Sequence, residues 1–151
     1  EHPYRNEVLS RIHRFRSTNE KGLFALAKDI ARLTADSIDI AALQEIAAPP
    51  KGEKWGSLKS LEKDLATACA SEDARHALTP LVGTYQLRLA DAHLPGSELA
   101  EAMKLAGIDS SSPVLHQGQA LIANCASAAM AIATLLERLT KSENDKGDKN
   151  G

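Results

Sequence analysis

Arg88, Asp91 and His93 lie within the run YQLRLADAHL at positions 85–94, immediately before a proline. Histidine can act as a general acid or base near neutral pH, and arginine can neutralise charge that develops on a phosphate. These residue types are therefore sufficient for metal-independent cleavage of RNA. We take Arg88 and His93 as the candidate catalytic pair, with Asp91 orienting one of them.

The spacing of these residues leaves two arrangements open. On a predicted helix, Arg88 and Asp91 face the same side, whereas His93 points roughly 140° away from Arg88. Pro95 disfavours helical backbone at Leu94, so the last turn could unwind, or the second half of the site could come from another copy of the chain. The non-catalytic alternative is a surface ion pair between Arg88 and Asp91, with His93 bonding a free carbonyl at the helix end.

Two further groups of residues could contact RNA. One is the basic face of the first predicted helix, and the other is the loop PPKGEKWG at 49–56, where a tryptophan could stack on a base. The alternatives are a solvated helix face and a tryptophan that folds back as a lid on the protein. The net charge of −2 and the pI near 6.2 provide no overall basic field. The candidate RNA-binding residues are Arg11, Arg14, Arg16, Lys51, Lys54 and Trp55.

Motifs for other chemistries are missing from the sequence. It has no Gly-rich phosphate loop, no HExxH, no paired CxxC and no GxSxG. Cys69 and Cys125 both lie in Ala-rich predicted helices, as buried free thiols or as a disulfide, and neither has metal-ligating neighbours. We therefore expect no metal and no cofactor.

No run of about 18 consecutive apolar residues is present, so we expect no membrane partner. No signal peptide is visible, which makes the cytoplasm the expected location. The chain starts at Glu1, and we interpret it as a domain excised from a larger protein. Residues 1–140 are predicted to form a single domain, and the mixed-charge segment 141–151 is predicted to be a disordered tail.

Helical periodicity dominates the sequence and predicts an all-α bundle of five to seven helices. Apolar residues make up 43% of the chain but aromatics only 3%, so Leu, Ala and Ile must fill the core. Predicted helix caps are the segment Ser17-Thr18-Asn19, then Ser37 or Asp39, and then Ser57, and Gly107 is predicted to end a helix. The predicted helices include 5–16, 20–35, 57–70 and the longest, 113–139.

The run LRLADAH at 87–93, followed by a long C-terminal helix, resembles the core motif of the HEPN family of helical nucleotide-binding and ribonuclease domains. The resemblance implies a bundle that dimerises along the motif helix. It also implies RNA cleavage by 2′-hydroxyl attack, with Arg88 and His93 as the catalytic pair. One departure is Leu89, where the family often has a polar residue.

Two functional hypotheses follow. The leading one is a HEPN-like, metal-independent endoribonuclease of the toxin or antiviral-defence type, which acts on RNA and whose other candidate partners are an antitoxin or further domains of a parent protein. The competing one is a non-catalytic all-α interaction or regulatory dimerisation domain. Both predict a homodimer, and the Ala-rich helix 113–139 is the surface that we expect to form it.

Overall fold

The computed structural model describes residues 5–12, 15–90 and 96–147, with every side chain in these ranges except those of 11–12, 139 and 141–147. Over the described residues the protein has seven α-helices, one short 3-10 turn and no strand. The predicted all-α class with five to seven helices is confirmed and fits a helical bundle. The helices are α1 (Arg5–Ile12), α2 (Glu20–Leu33), α3 (Ile40–Ile46), α4 (Ser57–Leu65), α5 (Ser71–Leu87), α6 (Gly96–Leu105) and α7 (Val114–Gly147).

The chain groups into two compact units. The first comprises Glu1–Ile38 and Thr79–Ser127, and the second comprises Asp39–Leu78 and Ala128–Gly151. The division falls inside α5 and inside α7, each of which is one continuous helix. The single domain over residues 1–140 stays a prediction.

In the first unit, α2 begins where the sequence predicts. The side chain of Asn19 accepts a hydrogen bond from the backbone N–H of Gly22 at 2.9 Å, which satisfies a donor that the first helical turn leaves free. The apolar face of α2, including Leu23, Leu26 and Ile30, is buried, and α1 packs against this helix. The amphipathic pattern of α2 thus positions it in the core.

The end of α6 is fixed by Gly107, as predicted. Its φ of 71° places it in the left-handed region. The N–H of Ile108 donates to Met103 O at 2.9 Å, and the N–H of Gly107 donates to Lys104 O at 3.1 Å, which is the Schellman pattern. The Asn124 amide on α7 donates to Gly107 O at 2.9 Å and to Ala106 O at 3.0 Å, so α7 is tied to the end of α6.

In the second unit, α3 packs against α4. Asp39 caps α3, since its carboxylate accepts from Ala41 N at 3.0 Å and from Ala42 N at 3.2 Å. The predicted cap Ser57 is instead the first residue of α4, and the cap position belongs to Gly56, whose extended backbone starts the helix without a side-chain bond. The helix predicted over 57–70 ends at Leu65.

Helices α1 and α7 also end at positions that differ from the predicted ones. Helix α1 is described over Arg5–Ile12, residues 15 and 16 are not helical, and the Phe15 ring lies against Gly118 of α7. Helix α7 continues to Gly147, seven residues into the segment predicted to be disordered. Extending an existing helix avoids the cost of nucleation, so α7 can continue past the end that the apolar pattern predicts.

The core is aliphatic, as the composition predicts. The largest fully buried side chains among the described residues are mainly leucines, and no aromatic residue is among the buried ones there. Small residues let helices approach closely in such a core. At Gly83 in α5, an added Cβ would lie 2.7 Å from the carbonyl oxygen of Ala102 in α6.

Candidate functional site

Arg88 lies in the turn that follows α5 and is already engaged by two neighbours. Its Nη1 donates to both carboxylate oxygens of Asp36, at 2.7 and 2.8 Å. Its guanidinium carbon lies 3.7 Å from the centre of the Tyr85 ring. The Arg88 side chain is only 22% exposed. A phosphate that approached this guanidinium would therefore compete with the Asp36 carboxylate for its positive charge.

Asp91 and His93 lie outside the described residues. Helix α5 ends at Leu87, and Leu89 N donates to Gln86 O in a tighter turn around Arg88. The expected ion pair between Arg88 and Asp91 lies outside the described residues, and within them Arg88 pairs with Asp36.

A cavity of about 250 Å³ lies beside this turn, in the first unit. It is lined by Gln86, Leu89, Glu98 and Glu101. Its two carboxylates repel a phosphate backbone, because nucleic-acid binding depends on neutralising phosphates with Lys and Arg. The surroundings of Arg88 therefore do not favour RNA.

The structure describes only some of the other candidate RNA-binding residues. The side chain of Arg11 and all of Arg14 lie outside the described residues, and Arg16 is an exposed residue in the loop after α1. In the second unit, Lys51 and Lys54 are exposed. This arrangement leaves their role in binding RNA a prediction.

Trp55 is half-buried and has two contacts within its own unit. Its Nε1 donates to Glu53 Oε2 at 3.0 Å, and Lys63 Nζ lies 5.8 Å from the ring centre. The ammonium of Lys63 is close enough for a cation–π interaction. The Glu53 and Lys63 side chains occupy part of the Trp55 ring. Both predicted roles of Trp55, as a stacking platform and as a lid, stay predictions.

A shallow groove of about 310 Å³ in the second unit brings an arginine and a histidine to the same depression. His76 and Arg138 could attract an anion, while Asp73 on the same rim opposes it. The neighbouring Arg75 contacts Glu62 at 3.5 Å. The residues that line the groove are Asp73, His76, Ala77, Ala131, Thr134, Leu135 and Arg138.

Both cysteines are free thiols. Burial raises the pKa of Cys125, and a hydrogen bond with Thr84, at 3.1 Å, opposes the shift only in part. The thiol is therefore protonated and a poor nucleophile. Among the described residues, no three His, Cys, Asp or Glu side chains are grouped to hold a metal ion.

Helix α7 has an exposed apolar face, which the sequence only partly indicates. By length and composition, Val114–Arg138 could cross a membrane: its most apolar window has a mean hydropathy of 1.6, and only 22% of that window is buried. Scattered Ser, Gln, Asn and Thr residues interrupt any continuous apolar run, which is why a search for such a run misses it. Met130, at 73% exposed, lies on this face.

No family model, curated protein or solved structure matches this chain. The resemblance to the HEPN family therefore stays a prediction that depends on the run at 87–93 alone. The functional features that follow come from the geometry of the described residues.

Proposed function

We propose that this chain is a non-catalytic interaction domain that forms a homodimer through the exposed face of α7. The observation that carries the proposal is the distribution of polarity on this helix. No charged residue occurs from Val114 to Leu136, although a surface helix normally turns a charged face to solvent.

One side of α7 is buried and the opposite side is exposed. One side is buried in its own chain and consists of Gln117, Leu121, Cys125, Ala128 and Ile132. The opposite side is exposed and carries Ala123, Ala126, Met130 and Ala133. An apolar face of this length is typical of a protein or membrane contact. The small side chains also allow a second helix to approach closely.

A second protein chain suits this face better than a lipid bilayer. The buried amide of Gln117 donates to Ser112 O at 2.7 Å, and Asn124 bonds two carbonyls at the end of α6. To enter a bilayer, α7 would have to give up these hydrogen bonds and its packing, at a cost of several kcal/mol. A partner helix can bind while these contacts stay intact.

The ribonuclease hypothesis has less support. Arg88 is held by Asp36 and Tyr85, and the cavity beside its turn carries two carboxylates. If the chain were a ribonuclease, His93→Ala would slow cleavage by about 10²–10⁴-fold, and chelator would have no effect. We expect the wild type and His93→Ala to leave RNA equally intact, and a loss of cleavage specific to His93→Ala would overturn the non-catalytic proposal.

The dimer is tested by light scattering over a range of protein concentrations. We expect the wild type to approach twice the chain mass of 16.1 kDa, and Met130→Glu to remain at the monomer mass, because it buries a charge without a partner. Ile46→Glu is the matched control, since Ile46 is an exposed aliphatic residue, 53% accessible, on α3. A monomeric wild type that floats with lipid vesicles would favour the membrane alternative and reject the dimer.

A further inference from the structure

The shallow groove of the second unit is lined by one stretch of α5 and one stretch of α7. Its volume of about 310 Å³ is at the lower end of the range for small-molecule sites. Asp73 and His76 line it from α5, where residues three apart share one face of the helix. Thr134 and Arg138 line it from α7, four residues apart. The fold therefore brings polar groups of different types to one depression.

The opposite charges that line this groove do not pair with each other. Within the part of the chain that the structure describes, the side chains of Asp73, His76 and Arg138 form no ion pair and no hydrogen bond. All three are exposed, so each is accessible from solvent. The gap between the carboxylate and the guanidinium can therefore be bridged by a ligand that carries both charges.

The donors and acceptors of the groove are matched in number. Arg138 and His76 can donate hydrogen bonds to a carboxylate. Thr134 Oγ1 already donates its hydrogen to Met130 O at 3.0 Å, so towards a ligand this hydroxyl can only accept. The carboxylate of Asp73 is also an acceptor, and both acceptors suit an ammonium group. A simple anion would use the two donors but would be repelled by Asp73.

Between these polar groups the groove is lined by small and aliphatic side chains, those of Ala77, Ala131 and Leu135. Two alanines leave space that an aliphatic group of a ligand can fill. We propose that the groove binds a free α-amino acid with an aliphatic side chain, its carboxylate held by the two donors and its ammonium by the two acceptors. This inference goes beyond the proposed dimer and does not depend on it, because every residue of the groove belongs to one unit of a single chain.

Binding is tested by NMR titration of the labelled protein with L-leucine. We expect the imidazole signals of His76 to shift with a dissociation constant on the order of 1 mM, because ion pairs at an exposed site are weak. The signals of His116, in the first unit, should stay in place. Leucine amide lacks the carboxylate and 4-methylpentanoate lacks the ammonium, so each should bind at least about fivefold more weakly. Equal binding of either compound would mean that the groove takes a simple ion or a peptide end, and no saturable shift would mean that it takes no amino acid; both results would overturn the inference.

Two substitutions assign the charges of the ligand to their partners. Asp73→Asn and Arg138→Gln should each raise the dissociation constant for L-leucine by about three- to tenfold. Asp73→Asn should at the same time bind 4-methylpentanoate more tightly than the wild type does, because the carboxylate that repels it is gone. Arg16→Gln is the matched control, since it removes an exposed arginine of the first unit and should leave binding unchanged. If Asp73→Asn weakened both ligands equally, or if Arg16→Gln had the effect of Arg138→Gln, the assignment of the groove would be wrong.

Discussion

The guanidinium of Arg88 joins parts of the first unit that are far apart in sequence. Asp36 precedes α3, Tyr85 lies in the last turn of α5, and Arg88 contacts both. The ion pair is partly shielded from solvent, with side chains 22% and 35% exposed. Partial shielding from solvent strengthens the attraction between the two charges relative to an ion pair in open water. Arg88 is therefore a structural link between the end of α2 and the end of α5.

Replacing Arg88 by Ala should lower the free energy of unfolding by about 1–2 kcal/mol, because both the ion pair and the ring contact are lost. Denaturant unfolding of Arg88→Ala, Asp36→Ala and the double variant gives the coupling energy between the two side chains. We expect a coupling of about 0.5–1 kcal/mol. No measurable coupling would mean that Arg88 does not rely on Asp36, and it would make the guanidinium accessible to a phosphate again.

Asp64, near the end of α4, is a buried acid in an environment that does not solvate it. The residue is 1% exposed, and neither carboxylate oxygen has a hydrogen-bond partner in the described part of the chain. Burial raises the pKa of Asp64 above its ordinary value. The folded state therefore holds this proton more tightly than the unfolded chain does.

The sign of the pH effect follows from proton linkage. Because folding raises the pKa of Asp64, the destabilisation is absent below the unfolded pKa, grows as the pH rises from the unfolded to the folded pKa, and is constant above the folded pKa. We expect Asp64→Asn to be more stable than the wild type at neutral pH, by about 1–3 kcal/mol, and to lose this advantage in acid. Chemical denaturation of both proteins at several pH values measures this difference in the free energy of unfolding.

Asp109 provides a control of opposite sign. Hydrogen bonds from the side chain and then the backbone of Ser111 lower the pKa of Asp109, so its contribution is present at neutral pH and is lost as the pH falls through the lowered pKa. Asp109→Asn should therefore weaken the protein at neutral pH. If Asp64→Asn also weakened it there, the buried carboxylate would have an unrecognised partner.

At Gly83, α5 and α6 approach each other too closely to leave room for a side chain. Alanine normally stabilises a helix relative to glycine by about 1 kcal/mol. At Gly83, however, a methyl group would lie 2.7 Å from the Ala102 oxygen and 2.7 Å from the carbonyl carbon of Leu105. The backbone of α6 cannot move aside as a side chain tip can, so steric overlap must exceed the gain in helix propensity.

Gly83→Ala should therefore destabilise the protein by about 1–3 kcal/mol, the usual cost of overpacking. Gly96→Ala is the matched control, since nothing lies within 4 Å of a Cβ added at this first residue of α6. It should be neutral or slightly stabilising. Thermal unfolding of both variants makes the comparison, and equal midpoints would contradict the close approach of the two helices.

Helix starts and ends could be predicted where a nearby residue determines them. Asn19 lies in the predicted capping segment 17–19, Asp39 is one of the two predicted caps of α3, and Gly107 ends α6 as predicted. The contact between the Phe15 ring and Gly118 could not be predicted, because the two residues are far apart in sequence. Local patterns carry no information about such contacts.

The contacts of the candidate site could likewise be predicted only between residues that are close in sequence. Tyr85 and Arg88 are three residues apart, so their contact could be inferred from a helical turn, but Asp36 lies 52 residues away and has no signal in the sequence. The apolar composition of α7 is visible in the sequence, whereas its exposure is not. The pattern fits a core helix equally well, and only the packing of the other helices shows that one side stays uncovered.

The proposed dimer makes thermal stability depend on protein concentration. A partner that binds the folded chain and not the unfolded one shifts the unfolding equilibrium by mass action. We expect the unfolding midpoint of the wild type to rise steadily with protein concentration, whereas that of Met130→Glu stays constant, since this variant cannot pair through the exposed face of α7. Met130→Leu should behave as the wild type, because it keeps an apolar side chain of similar volume. Scanning calorimetry over a hundredfold range of concentration measures the difference, and a wild-type midpoint that does not move would exclude a dimer coupled to folding.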